Sequence, residues 1–179
     1  TPSPGGEDYM QFMKEIKGLR KQYRQGVEIP EKLEARSTAI LWNLENYWTI
    51  DRQKQTNQWE TWNYPVKFME IAKSLGAPVD VIPETSDLSK YKVVIIPAYE
   101  MVDSALVKKW NNYVANGGHL IITCRTATKN RMGHFWEGKL AAPISGLIGA
   151  QVTATDMLSA YGKGDVQMES THYGWNNWA

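Results

Sequence analysis

Apolar positions repeat along this chain in two distinct periods. Phe12, Met13, Ile16, Leu19 and Tyr23 recur at helical spacing with Lys, Glu and Arg between them, which predicts an amphipathic helix over about residues 7–24. Glu7 and Asp8 fall in its first turn, where carboxylates favour the helix dipole, and Gly26 lies just past its end. Residues 27–36 read as a polar connector. Thr38-Ala-Ile-Leu-Trp-Asn-Leu44 then reads as a buried strand. A second helix is expected over about residues 58–75, with Trp62, Val66, Met69, Ala72 and Lys73 along its stripe, Pro65 in its early part and Gly76 stopping it. Pro78–Ile82 and Val93–Ile96 read as short strands, the latter closed by Pro97. Asp103 or Ser104 can cap a third helix carrying Leu106, Trp110, Tyr113 and Val114, which Gly117-Gly118 ends. His119–Thr123 is the fourth strand.

Near-continuous apolar strands alternating with helices predict an α/β fold, a mostly parallel sheet with helices on both faces. Right-handed crossovers and short loops favour a doubly wound, flavodoxin-like strand order 2-1-3-4. Residues 125–139 read as a polar loop, Leu140–Ile148 as a short helix with Pro143 near its start, and Val152 as the start of a further strand. Three segments result: a leading helix and connector over 1–36, an α/β domain over 37–158, and an aromatic, polar tail over 159–179. The opening Thr1-Pro-Ser-Pro-Gly-Gly6 and the closing Tyr173-Gly-Trp-Asn-Asn-Trp-Ala179 read as the ends of a piece of something longer.

Composition narrows the function. Twenty basic against 19 acidic side chains give a net charge of +1, too little to collect nucleic acid or an anionic membrane surface. Hydrophobic residues at 42% and charged residues at 22% exclude a disordered chain. One cysteine, Cys124, excludes an internal disulfide and a multi-cysteine zinc site. No His/Asp/Glu cluster has metal-ligand spacing, so neither a metal nor another cofactor is expected. A phosphate-cradling loop follows a strand, whereas Gly117-Gly118 precedes one.

What remains is a thiol, some carboxylates and many aromatics. Cys124 stands at the carboxyl end of a strand, where ligands and nucleophiles gather in such sheets. Arg125-Thr-Ala-Thr128 follows it, without the glycine of a tight nucleophile elbow, and none of His119, His134 and His172 is marked by spacing as its base. An inert cysteine is the plainer reading. Glu45 and Glu100, which follow the first and third strands, could reach one rim as a carboxylate pair, although salt-bridge or capping roles are the ordinary ones. The chain has eight Trp, and Trp42, Tyr47, Trp48, Trp59, Trp62 and Tyr64 crowd one stretch. Trp62 belongs to the core face of its helix. Trp42, Trp48 and Trp59 with Glu45 and Asn46 suit a protein interface, a sugar-stacking platform or a small aromatic core under a loop.

The segment Ala39-Ile-Leu-Trp-Asn-Leu-Glu-Asn-Tyr-Trp48 resembles the opening strand of the trimerisation domain of glycoside hydrolase family 42 β-galactosidases. The likeness continues in order through Gly76–Ile82, Asp87–Pro97, Asn116–Thr123 and Arg125-Thr126, covering about residues 7–158. It implies a fold similar to class I glutamine amidotransferases. In that superfamily the nucleophilic cysteine follows the strand matching His119–Thr123, the position Cys124 occupies. The elbow glycine and a downstream His-x-Glu pair are missing here. The resemblance further implies a non-catalytic assembly domain. Its partners would be copies of itself in a homotrimer and an upstream catalytic barrel of the same chain, which holds the family's catalytic glutamates. A galactoside at the rim is a further expected partner, and a bacterial-type cytoplasmic or periplasmic setting is implied. Trp42, Glu45, Trp48, Trp59 and Arg125 are the expected interface residues, with Glu45 and Arg125 within salt-bridge reach. The alternatives are an amidotransferase-like enzyme using Cys124 and a carbohydrate-binding module using the aromatic rim.

Overall fold

The structure, a computed structural model, describes residues 7–23, 36–155 and 164–175. The chain divides into two compact units, residues 1–35 and 36–179. In the first, α1 (Glu7–Tyr23) matches the helix its periodicity predicts. Phe12, Ile16 and Leu19 lie exposed on it, and Gln11 donates to Glu15 one turn on. Gly26 and most of the 27–36 connector lie outside the described residues.

The second unit is built on β1 (Thr38–Leu41), β2 (Val79–Ile82), β3 (Val93–Ile96) and β4 (His119–Ile122). All pairings are parallel and the order is β2-β1-β3-β4, as the apolar runs and crossover rules predict. Ile40 sits level with Val81 on one side and Ile95 on the other. The two-residue period then sends Ala39, Leu41, Val94 and Ile96 into the main core, with Leu106, Trp110 and Tyr113. Ile40 and Ile95 take the opposite face, where α3 (Asn63–Ser74) packs on β1 and β2. Helices therefore cover both faces of a parallel sheet.

Leu106, Trp110 and Tyr113 come from α4 (Ser104–Ala115), whose cap is Asp103: its carboxylate accepts from the Leu106 N–H at 2.7 Å. That bond holds the Asp103 carboxyl below the usual range. Trp110 is fully buried and meets the Tyr99 ring edge-on at 5.9 Å. The chain leaving α4 passes so close to Tyr113 that a Cβ on Gly118 would stand 2.3 Å from the Tyr113 Cζ, which leaves room for glycine alone.

Several expectations change. The first strand stops at Leu41, and α2 (Leu44–Arg52) begins where the strand was expected to continue. Asn43 is the cause: its side chain accepts from the Asn46 N–H at 3.0 Å, capping a helix whose first turn carries Glu45. The second expected helix is shorter, because residues 56–62 are spent on turns before Asn63. The segment 125–139 is a loop, as expected, but its first five residues, Arg125 through Lys129, are all buried. Beyond it, the 3₁₀ turn Ala142–Ile144 and α5 (Ser145–Ile148) replace one short helix, and Val152 bridges to Leu140. In the expected tail, β5 (Gly164–Met168) and β6 (Thr171–Trp175) form an antiparallel hairpin; residues 159–163 and 176–179 lie outside the described ones. Among the described residues no helix is long and apolar enough to cross a membrane.

Candidate functional site

Beyond the carboxyl end of β3 the backbone turns through Ala98, which adopts a left-handed conformation (φ 46°), and runs beside residues 127–129. Ala127 N–H donates to Tyr99 O at 2.8 Å, Lys129 N–H to Glu100 O at 2.9 Å, and Val102 N–H to Lys129 O at 3.0 Å. This pairing sets two side chains of opposite charge next to each other. The Glu100 carboxylate accepts from Lys129 Nζ at 2.6 Å on one oxygen, and from Arg125 Nε and Nη2 at 2.9 and 2.6 Å on the other. The three side chains are 1%, 0% and 4% exposed, so water takes almost no part.

One carboxylate cannot balance two buried cations, and neutral oxygens complete the site. Arg125 donates to the backbone oxygens of Gln53 and Lys54 at 3.0 and 3.1 Å, and Lys129 donates to the Gln53 side-chain oxygen at 2.8 Å. The Arg125 guanidinium lies 4.7 Å from the centre of the Trp59 ring, and Lys129 Nζ 5.2 Å from that of Phe135. Every one of these contacts reaches back to the α2–α3 connection or across to the 129–135 loop. Chemically the cluster is a clamp. Its groups are saturated with each other, which leaves no free base or acid.

Asn46, fully buried in the first turn of α2, does the same for the strand end. It accepts from the Glu100 and Met101 N–H groups at 2.7 and 3.3 Å and donates to Ala98 O at 3.0 Å. A third group ties the loop from outside: Arg131 meets both Glu84 oxygens at 3.0 Å and Asp103 at 2.8 Å, and the Tyr99 hydroxyl donates to Glu84. Burial, followed by that carboxylate, pushes the Tyr99 hydroxyl pKa well above its ordinary value.

The aromatics divide into two roles. Tyr47 is buried between Trp42 at 4.6 Å and Trp62 at 6.1 Å, and Trp59 is buried against Tyr64 at 4.5 Å. Trp48 points outward and is 56% exposed. Trp62, expected in the core, is 42% exposed, because it sits at the N-cap of α3 rather than along its buried stripe.

The model of the β-galactosidase trimerisation domain matches residues 36–179, which is the whole of the second unit. The chain belongs to this family. It is 25% identical over 143 residues to the β-galactosidase BgaH of Haloferax lucentense, covering 80% of this chain and 22% of that protein. It is 26% identical over 145 residues to the β-galactosidase GanA of Bacillus subtilis, covering 79% and 21%. The β-galactosidase structure from Halorubrum lacusprofundi shares the fold with a TM-score of 0.76 at 24% identity, over 80% of this chain and 21% of that one. The chain thus spans about a fifth of the length of these relatives.

Within this trimerisation domain the expected site residues separate. Arg125 and Trp59 come together, and Trp42 stands beside Tyr47. Glu45 lies exposed on α2, and the carboxylate that holds Arg125 is Glu100, where the sequence points to Glu45. The helix is the reason: capping by Asn43 turns Asn46 inward and Glu45 outward. Asn46, which the sequence places on the rim beside Glu45, turns inward to the strand end, and Lys129 and Gln53 were not singled out as site residues from the sequence.

Cys124 follows β4 as expected, but its sulfur faces the Tyr64 hydroxyl at 3.6 Å rather than an imidazole. Although the residue is exposed, packing around the sulfur raises the thiol pKa. A raised thiol pKa means less thiolate at neutral pH. Alkylation by iodoacetamide at pH 7 is therefore expected to run several-fold slower than for a free thiol of pKa about 8.5, rising as pH passes the ordinary thiol range. A rate at pH 7 above that of free cysteine would contradict this geometry.

Proposed function

We infer that this chain is the self-assembly module of a larger β-galactosidase, built to hold three copies together. An upstream barrel of the same polypeptide would hydrolyse terminal β-galactosides with retention. The observation that carries this reading is the family match over residues 36–179, together with the share of its relatives that the chain spans. The site supports it, because its charges are spent on bracing an aromatic surface. In this reading Trp48 and Glu45 make the contact between copies, while Trp42, Trp59 and Arg125 stiffen the surface from beneath.

The other two readings lose ground on specific grounds. The Cys124 sulfur sits against a phenol and its pKa is raised, the opposite of an activated nucleophile. One face of the Trp59 ring is taken by Arg125 and the residue is 3% exposed, so it offers no platform to a sugar. Sedimentation or light scattering of the 179-residue chain tests the assembly. A species of three times the 20.4 kDa chain mass is expected; a chain that stays monomeric at high micromolar concentration overturns the reading.

A further inference from the structure

Two apolar surfaces in the second unit are held rigidly and face solvent. The first spans two helices. Leu44 and Trp48 lie one turn apart on α2, 47% and 56% exposed, and Trp62 and Val66 one turn apart at the start of α3, 42% and 39% exposed. Tyr47, whose ring stands 6.1 Å from that of Trp62, joins the two helices beneath this face. The segment connecting them is clamped by Arg125 through two backbone oxygens and the Trp59 ring.

The second surface is the turn after Lys129. Met132 at its tip is 79% exposed and Phe135 51%. Flexibility does not explain that exposure. The Asn130 side chain accepts from the Met132 and His134 N–H groups at 2.9 and 3.2 Å, and the Asn130 N–H donates to His134 O at 2.8 Å. Arg131 fastens the turn to Glu84 and Asp103, and Lys129 fastens its root to Glu100. A pre-organised turn that keeps a methionine and a phenylalanine in water has already met the ordering cost that binding would otherwise impose.

A ring of three identical chains cannot close through one self-complementary patch; each copy must present two unlike faces. We propose that these are the two: the Leu44–Trp48–Trp62–Val66 face of one copy takes the Met132–Phe135 turn of the next. The pairing rests on the self-assembly reading above and names its surfaces. Trp, Phe and Met are the side chains enriched where interfaces are fully desolvated. Four of the six residues are of these types, and the six would form the apolar centre of an interface that in ordinary cases buries roughly 800 Å² per partner. Charge does not oppose the match: Glu45 stands on α2 beside the first face, and the turn carries no acidic residue from Lys129 to Trp136, its two cations being paired with Glu100, Glu84 and Asp103.

The test uses the full chain with Trp48→Asp and Met132→Asp, each checked for folding by circular dichroism and thermal unfolding. Both side chains are exposed, so both variants are expected to fold. Where the wild-type chain is trimeric, each variant alone is expected to be monomeric, with association weakened at least about 30-fold. Mixed in equal amounts, the two still own one intact face each, so a species of twice the chain mass is expected. A trimeric wild type with folded, trimeric variants overturns the pairing alone. A mixture that stays monomeric overturns it too. A monomeric wild type overturns the self-assembly reading and takes the pairing with it.

Discussion

Replacing Glu100 by glutamine is expected to lower the unfolding free energy by about 3–5 kcal/mol, because it leaves two buried cations without their anion. Arg125 and Lys129 each lie within 2.6 Å of this carboxylate and have almost no contact with water. Only one end of the amide that replaces it accepts hydrogen bonds, so its NH2 confronts the donors of Lys129 or Arg125 while the countercharge is lost. In a domain of this size each kcal/mol moves the melting temperature by about 2–4 °C, so a fall of roughly 10 °C follows. Urea unfolding should show a lower midpoint with an unchanged slope. Replacing Glu100, Arg125 and Lys129 together by methionine should recover much of the loss, since an apolar cluster of similar volume carries no desolvation penalty. A loss below about 1 kcal/mol for Glu100→Gln would show that these charges are not buried as described.

Asn46→Ala is expected to be the next most damaging change. It orphans the Glu100 and Met101 N–H groups and the Ala98 oxygen, all inside the protein. Each stranded group costs about 1–3 kcal/mol, against which alanine's better helix propensity returns less than about 1 kcal/mol. A net loss of at least about 2 kcal/mol should appear in the same unfolding experiment. Asn46→Asp keeps the acceptor for both N–H groups but buries a carboxylate with one oxygen against Ala98 O, so it should gain stability over Asn46→Ala only as the pH falls and the carboxyl protonates. If the two variants stay equally stable at low pH, the acceptor bonds do not carry the effect.

The sheet was legible from sequence because its information is local. Ala39-Ile-Leu41 and Val93–Ile96 are apolar without interruption, and only a strand covered on both sides has use for such runs. Helix α4 was legible for the same reason, with its cap, its buried stripe and its glycine stop in one stretch. Helix α2 was obscured by the residues at its start: Trp42 and Leu44 prolong the apolar run of β1, and the capping signal of Asn43 and Glu45 lies inside that run. The clamp is a different case. Glu100 and Lys129 are 29 positions apart, in segments whose polarity reads as solvated loop, and neither shows any periodicity. Their meeting depends on the left-handed turn at Ala98 and on the pairing of 99–102 with 127–129, which no pattern along the chain encodes. Arg125 could be singled out only through the ordered likeness to a family, and its partner was misassigned because the rim was imagined from strand ends alone.

Arg125 grips the α2–α3 connection by main-chain oxygens at Gln53 and Lys54. Every amino acid supplies that same atom, so the grip at position 54 is blind to side-chain identity. The Lys54 ammonium reaches the partly exposed Asp51, an attachment of small worth. Position 54 is thus a place where lineages could diverge, or a fluorophore be mounted, while the joint beneath stays fastened.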